Sequence, residues 1–264
     1  MLIAQVTDSH VDAPGVLAHG RIDARAALRK ALATIAALNP RPDLILHTGD
    51  VTHHADLSVN RDVRAMLQDT GIRYCAIPGN HDEIEHLRGA YADTAWMPNS
   101  GFLHYVLEDL PVRIICLDTK IPGEVAGELC AERLEWLSAQ LKAGANRPTM
   151  IAMHHPVFRI GRPISDARPF RNAAAFAELM SRYPNVSLIV AGHVHCTLQT
   201  RVGHAVAIAA PSTAFQFAMD RRPDGVIAVS GEPPGYYMHD WKDGSGFTSH
   251  YAPIGEFGEP VPLR

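Results

Sequence analysis

Short apolar runs alternate with helically spaced apolar positions through most of the chain, and then the helical spacing stops. Leu2–Val6 reads as a buried strand. Arg25–Leu38 follows as a helix with Leu28, Leu32, Ile35 and Leu38 on one face, and Asp23 is its predicted N-cap. Asp43–His47 is the next predicted strand, Asp62–Asp69 a helix, and Arg73–Ile77 a third strand. Phe102–Leu107 and Val112–Leu117 read as strands joined by a turn at Asp109–Pro111. Arg133–Lys142 is a helix with Leu134, Leu137 and Leu141 inward, closed near Gly144. Met150–Met153 is a strand, Asn172 caps a helix running to about Tyr183, and Leu188–Ala191 is a strand ending at Gly192. Beyond it, Thr197–Val202, Ala205–Ala209, Gly225–Val229 and Tyr236–Trp241 read as consecutive strands, with a hairpin turn at Gly203-His204.

This order predicts an α/β protein: two packed sheets with helices outside, made of a mixed βα half and a more antiparallel C-terminal half. No repeat or low-complexity segment interrupts it.

Five apolar runs end in side chains that bind metals. They close on Asp8-Ser9-His10, Gly49-Asp50, Gly79-Asn80-His81-Asp82, His154-His155 and Gly192-His193-Val194-His195. Ligand sites in open α/β sheets collect at the carboxyl ends of strands, so five dispersed segments are expected to form one site. Asp8 and His10, two residues apart, would share a face on a regular strand and chelate one ion. Gly49 permits close approach of the backbone before Asp50, whose two oxygens could bridge two ions. Asn80 offers a neutral oxygen, and His154, His193 and His195 offer imidazoles. The set has no thiolate, unlike most structural zinc sites, and leaves positions open for water and substrate. Alone, each segment has a plainer reading. Asp8-Ser9-His10 is equally a strand-end cap, Gly49-Asp50 a turn, and His193 with His195 two half-exposed strand histidines. Their joint order is what selects a metal site. His19, His53, His54, His86, His104, His204, His239 and His250 are read as surface or supporting residues.

Composition changes this picture little. The chain has 264 residues, 47% of them hydrophobic and 20% charged, with a formal net charge of −4. That predicts no general attraction to nucleic acid or to an anionic membrane, and speaks weakly against long nucleic-acid substrates. No apolar run approaches the ~18 residues of a membrane span, and no signal peptide is read at the N-terminus. Cys75, Cys116, Cys130 and Cys196 are scattered, as reduced thiols of a cytoplasmic protein would be.

The five segments, in this order over about residues 1–200, resemble the calcineurin-like metallophosphoesterases. The resemblance implies a four-layer α/β/β/α sandwich with a dinuclear metal centre. By position, Asp8, His10 and His195 would hold one metal, and Asn80, His154 and His193 the other, with Asp50 bridging. His81 would sit near the leaving-group oxygen as a general acid or a hydrogen-bond donor to the phosphoryl group, or would only orient Asn80. Asp82 is read as the cap of a following helix, and His155 as a supporting or substrate-side residue. Residues 1–210 would be the catalytic domain, and 211–264 a C-terminal β extension completing the site or an oligomer interface.

The protein Ser/Thr phosphatases of this superfamily carry Arg shortly after the Gly-Asp pair, whereas here Val51-Thr52-His53-His54 follows. Gly79-Asn80-His81-Asp82 and Met153-His154-His155-Pro156 are instead similar to bacterial class III cyclic-nucleotide phosphodiesterases and bacterial glycerophosphodiester phosphodiesterases. Ala210-Pro211-Ser212-Thr213 and Tyr236-Tyr237-Met238-His239 look more like the second type. The expected activity is hydrolysis of a small phosphodiester by attack of a metal-bound hydroxide on phosphorus, with two ions drawn from Fe, Mn and Zn. A phosphomonoesterase, a nuclease or a non-catalytic scaffold are the alternatives. The resemblance also implies a homo-oligomer. Substrate choice is expected to lie in the loops Arg159–Arg171 and Pro211–Pro223, where Arg159, Arg162, Arg168 and Arg171 are either anion contacts or solvated charges.

Overall fold

The computed structural model describes residues 1–53, 56–258 and 261, so His54 lies outside the described residues. The first sheet is built on β1 (Leu2–Val6), β2 (Leu44–His47) and β3 (Tyr74–Ala76), which run parallel. On the other side of β1 it continues antiparallel through β12 (Gly235–Lys242) and β13 (Gly246–Pro253). The second sheet orders β4 (Tyr105–Leu107), β5 (Arg113–Cys116), β6 (Thr149–Ala152), β7 (Val186–Ala191), β9 (Ala205–Ala209) and β8 (Leu198–Val202). Its four central strands are parallel, and β4 and β8 are antiparallel edges. A short pair, β10 (Gln216–Phe217) with β11 (Val229–Ser230), stands apart.

Alternation along the strands makes the layers. Ile3, Leu44 and Leu46 point at Ile114, Met150 and Val190 across the space between the sheets. Their neighbours Ala4, Val6 and Ile45 point outward, against α1 (Ala24–Ala36), α2 (Leu57–Asp69) and α3 (Ile84–Ala90). Ile115, Ile151 and Ile189 of the second sheet likewise pack on α4 (Ala131–Ala143) and α6 (Ala173–Ser181), between which in the chain lies the single turn α5 (Pro163–Asp166). The expected order of helix, sheet, sheet and helix follows from three apolar layers. Burying each such Leu or Ile side chain contributes roughly 1.5–3 kcal/mol. One polar side chain also ties the sheets: Gln5 Nε2 donates to the Ala191 carbonyl at 2.9 Å.

Several elements differ from the sequence reading. The C-terminal strands do not form a half of their own. Strands β8 and β9 join the second sheet, whereas β12 pairs with β1, Leu2 facing Asp240. Residues Gly225–Ala228 are irregular, and only Val229 of the expected strand enters β11. Helix α2 starts at Leu57, because Asp56 accepts from the Ser58 and Val59 amides and caps it. Helix α3 is the helix expected after Asp82, and strand β13 had no predicted counterpart. Asn172 precedes α6 but does not cap it through its side chain, which donates instead to the Leu129 carbonyl at 3.0 Å. In α4, Leu137 and Leu141 are buried as expected, but Arg133 is buried in place of Leu134. No helix among the described residues is long and apolar enough to cross a membrane. The four cysteines are free thiols.

Candidate metal centre

Five parallel strands deliver the predicted donors at their carboxyl ends. Asp8 and His10 follow β1, Asp50 follows β2, Asn80 and His81 follow β3, His154 follows β6, and His193 and His195 follow β7. The backbone there is bent well away from a strand. Asp8, His10, Asp50, His193 and His195 all have φ between 44° and 71°, a left-handed conformation uncommon for residues other than glycine. Only His19 and Asn172 share it among the other described non-glycine residues. Asp8 and His10 therefore do not share a face of a regular strand. They converge because both turn out of it, a strain that clusters at functional sites and is held by the surrounding fold. The expected close approach at Gly49 is real: a Cβ there would stand 2.4 Å from His154 Nδ1.

The seven donors meet in two groups that share Asp50. In the first, His195 Nε2 lies 3.0 Å from His10 Nε2 and 3.3 Å from Asp8 Oδ1. In the second, Asn80 Oδ1 lies 2.9 Å from His193 Nδ1 and 3.3 Å from His154 Nε2. Asp50 Oδ2 stands between them, 3.7 Å from His10 Nε2 and 3.4 Å from His154 Nε2. Its other oxygen accepts the His81 amide at 2.8 Å.

Hydrogen bonds behind the imidazoles decide which nitrogen faces inward. His154 Nδ1–H donates to the Thr48 carbonyl and His195 Nδ1–H to the Phe215 carbonyl, each at 2.8 Å. Both rings thus direct Nε2 at the centre, the usual arrangement of metal-binding histidines. Burial pushes the Asp8 and Asp50 carboxyls up, but the imidazoles of His195 and His154 outweigh it and hold both below the ordinary carboxylate range. Burial also opposes charge on His154, yet Asp50 and Asp8 raise it to about 9. His193 is driven down to about 3 by burial and by the charge on His154 beside it.

These residues fit a pair of metal ions. Asp8 Oδ1 is buried and has no hydrogen-bond partner. It lies 3.3 Å from His195 Nε2, a nitrogen turned to the centre by the bond from Nδ1 to the Phe215 carbonyl. Only a proton or a cation reconciles these atoms. Donors bound at 2.0–2.2 Å to one ion lie about 3–3.6 Å apart, and most of the spacings above fall in or near that range, with Asp8 Oδ1 and His10 Nε2 wider at 3.9 Å.

His81 stands at the rim. Its Nδ1–H donates to the His53 carbonyl at 3.1 Å, and its ring stacks on that of His53. Asp82 does not cap α3, whose N-cap is Glu83. It is fully buried and accepts from the amides of Gly79, Thr52 and Val51 at 2.8, 2.9 and 3.1 Å. That carboxylate braces the loops that carry Asp50 and Asn80. His155 is buried with Nδ1 bonded to Thr119 Oγ1 at 2.8 Å, beside the His193 ring.

Sequence reasoning missed several supports. Phe215 and Phe217 lay their rings 4.5 and 4.3 Å from that of His195. Of the histidines read as surface or supporting residues, His53 takes the supporting place, its Nδ1 3.1 Å from His10 Nδ1. His104 and His239 are buried, and the second bridges Gln5 and Ser249. The expectation that residues 211–264 complete the site covered the segment of Phe215 and Phe217 without naming either phenylalanine. Of the four loop arginines, Arg162 and Arg168 line the cavity above the donors. Arg159 instead faces Asp166, and Arg171 pairs with Glu124.

A helix-flanked double sheet with acidic and imidazole donors gathered at its strand ends defines a metal-dependent hydrolase scaffold. The chain belongs to the calcineurin-like phosphoesterase family, whose model matches residues 1–197. It is 33% identical over 264 residues to the probable glycerophosphodiester phosphodiesterase of Arcobacter nitrofigilis, covering 100% of this chain and 97% of that one. It is 30% identical over 218 residues to the 3',5'-cyclic adenosine monophosphate phosphodiesterase of Pseudomonas aeruginosa, covering 83% and 78%. The fold matches a dimetal phosphatase from Danio rerio with a TM-score of 0.63 at 14% identity, covering 96% of this chain and 99% of that one.

Proposed function

We propose that this chain is a dinuclear-metal-dependent phosphodiesterase acting on small phosphodiesters, with glycerophosphodiesters favoured over 3',5'-cyclic nucleotides. One observation carries the reading: Asp50 Oδ2 sits between His10 and His154, at 3.7 and 3.4 Å, and so joins two donor groups. Asp8, His10 and His195 would hold one ion and Asn80, His154 and His193 the other, with Asp50 shared. Iron, manganese or zinc suits this mixed nitrogen and oxygen set. Two such ions supply, when bound, an activated water and neutralisation of phosphate charge.

The chain's own residues do the rest. Asp50 holds the His81 amide, and the His53 carbonyl holds the His81 ring, so that ring is fixed at the rim, where it would meet the leaving oxygen. Proton donation from a side chain placed in this way is worth about 10²–10⁴-fold. Phe215 and Phe217 wall the cavity and exclude water from one side. The segment around Phe215 supports a role for 211–264 in completing the site. The preference for glycerophosphodiesters rests on the relative from Arcobacter nitrofigilis, which this chain matches along its whole length, 211–264 included. Exposed Met219, Val226, Ile227 and Val229 support self-association of the chain. Four free thiols support a reducing, cytoplasmic setting.

The test is turnover of bis(p-nitrophenyl) phosphate by protein reconstituted with Mn²⁺, Fe²⁺ or Zn²⁺. Asp50→Asn and Asn80→Ala should each lower kcat by about 10³-fold or more while the circular dichroism spectrum is kept, since several kcal/mol of charge stabilisation is lost. Full activity in the Asp50 variant would sink the proposal.

A further inference from the structure

Three arginines among the described residues are buried, and two of them are neutralised. Arg113 pairs with Glu108 at 2.8 Å, and Arg133 with Glu128 at 3.5 Å. Arg162 is the most deeply buried, at 1% exposure, and no described carboxylate lies within ion-pair distance of it. Its contacts are long and neutral: the Val194 carbonyl at 3.3 Å, Ser165 Oγ at 3.5 Å and Cys196 Sγ at 3.7 Å. Its Nε has no partner. A buried guanidinium is rarely left without an anion, and this one borders a cavity of about 210 Å³ that also exposes Asp50, His81 and His195. Arg168 lines the same cavity, and Asp50 is the only acid among the described residues of its wall.

Resting on the phosphodiesterase reading, we infer that Arg162 selects substrates: it binds a second anionic group, carboxylate or phosphate, on one arm of the diester. The guanidinium presents a fork that matches either anion. Its position sets the reach. Val194, whose carbonyl it holds, lies between His193 and His195, and Phe217 stands between the guanidinium and His195, 5.7 Å from Arg162 Cζ and 4.3 Å from the His195 ring. The anion therefore lies close to the scissile phosphate, on a short arm. The same charge disfavours an arm that ends in a quaternary ammonium, because Asp50, the one described acid of the cavity wall, belongs to the donor groups.

The experiment uses the metal-loaded protein and four 4-nitrophenyl phosphodiesters with a common leaving group. Their second arms derive from ethanol, choline, 3-hydroxypropanoate and glycerol phosphate. The native protein should favour the carboxylate or the phosphate arm over ethyl in kcat/KM, and the better of the two identifies the anion. Arg162→Gln should lower that ratio about ten- to a hundredfold, chiefly through KM, as expected for a lost charge-assisted contact. Arg162→Lys keeps the charge without the fork and should fall between; it carries the test if the glutamine variant does not fold. An equal loss on all four arms, or no anionic preference in the native protein, overturns the inference while leaving the phosphodiesterase reading intact. Absence of turnover on every arm overturns both.

Discussion

The Nδ1–H of His154 donates to the carbonyl of Thr48 at 2.8 Å, and this commits the opposite nitrogen to the face of Asp50. In the metal-free protein that nitrogen carries a proton, because Asp50 and Asp8 overcome burial and raise His154 to about 9. A folded-state value above the ordinary 6.5 stabilises the metal-free fold fully below pH 6.5, and the contribution fades as pH rises through about 9. Metal binding must displace the same proton. Apparent affinity should therefore rise about tenfold per pH unit between 6.5 and 8.5. Chelator competition at several pH values measures the slope, and a flat profile would contradict it.

Asp82 holds two donor loops from behind the candidate metal centre. Its carboxylate takes three backbone amides, from Gly79, Thr52 and Val51. Removing it leaves those buried donors unmet at about 1–3 kcal/mol each, so Asp82→Ala should destabilise the protein by roughly 3–5 kcal/mol. Metal affinity should drop 10–100-fold, as is usual for groups that position ligands. Asp82→Asn keeps the shape and two of the acceptor contacts and should lose less on both counts. Urea unfolding and metal analysis of the same samples would separate the two effects.

The site was more legible in the sequence than the sheet order, for physical reasons. Each donor follows an apolar run that ends in a loop, so the strand-end position of Asp8, Asp50 and His154 could be read locally. The left-handed turns at Asp8 and His10 carry no such mark, because neither residue is a glycine. The partner of β12 could not be read either: β1 lies more than two hundred residues away, and both strands are apolar enough to suit either sheet. The contact that orients His195 comes from a backbone carbonyl, at Phe215, which any residue could supply. Arg162 looked like its three loop neighbours, since burial of one arginine among four is a property of the packed loop alone.

Acid should unfold this protein through histidines outside the site as well. His239 is buried, donates to Gln5 Oε1 at 3.0 Å and is lowered to about 3 by burial. A folded-state value below 6.5 leaves stability untouched above pH 6.5. Below it, the unfolded chain takes up a proton that the folded chain refuses, at about 1.4 kcal/mol per pH unit. His239→Phe should lower stability at pH 7, because Gln5 loses its donor. It should also reduce the slope of unfolding free energy against pH between 6.5 and 4.5 by about that amount. An unchanged slope would show that His239 is not among the groups responsible.

Gly79 offers the sharpest test of how closely the loops are fitted. Its backbone is not left-handed, so the requirement for glycine there is purely one of space. A Cβ at this position would stand 2.1 Å from Asp50 Oδ1 and 2.3 Å from the Asp50 amide nitrogen. Moving the carboxylate alone leaves the amide contact unrelieved, so the Gly79 and Asp50 loops have to part, and the oxygen shared by the two donor groups shifts with them. Gly79→Ala should fold yet bind fewer metal ions per chain than the native protein. Turnover should fall by about 10²-fold or more, the usual effect of a misplacement near 1 Å. Gly231→Ala is the control, since nothing lies within 4 Å of its added Cβ. Elemental analysis after dialysis against metal-free buffer reads the difference. Native metal content in Gly79→Ala would mean that the Asp50 loop yields more readily than its packing indicates.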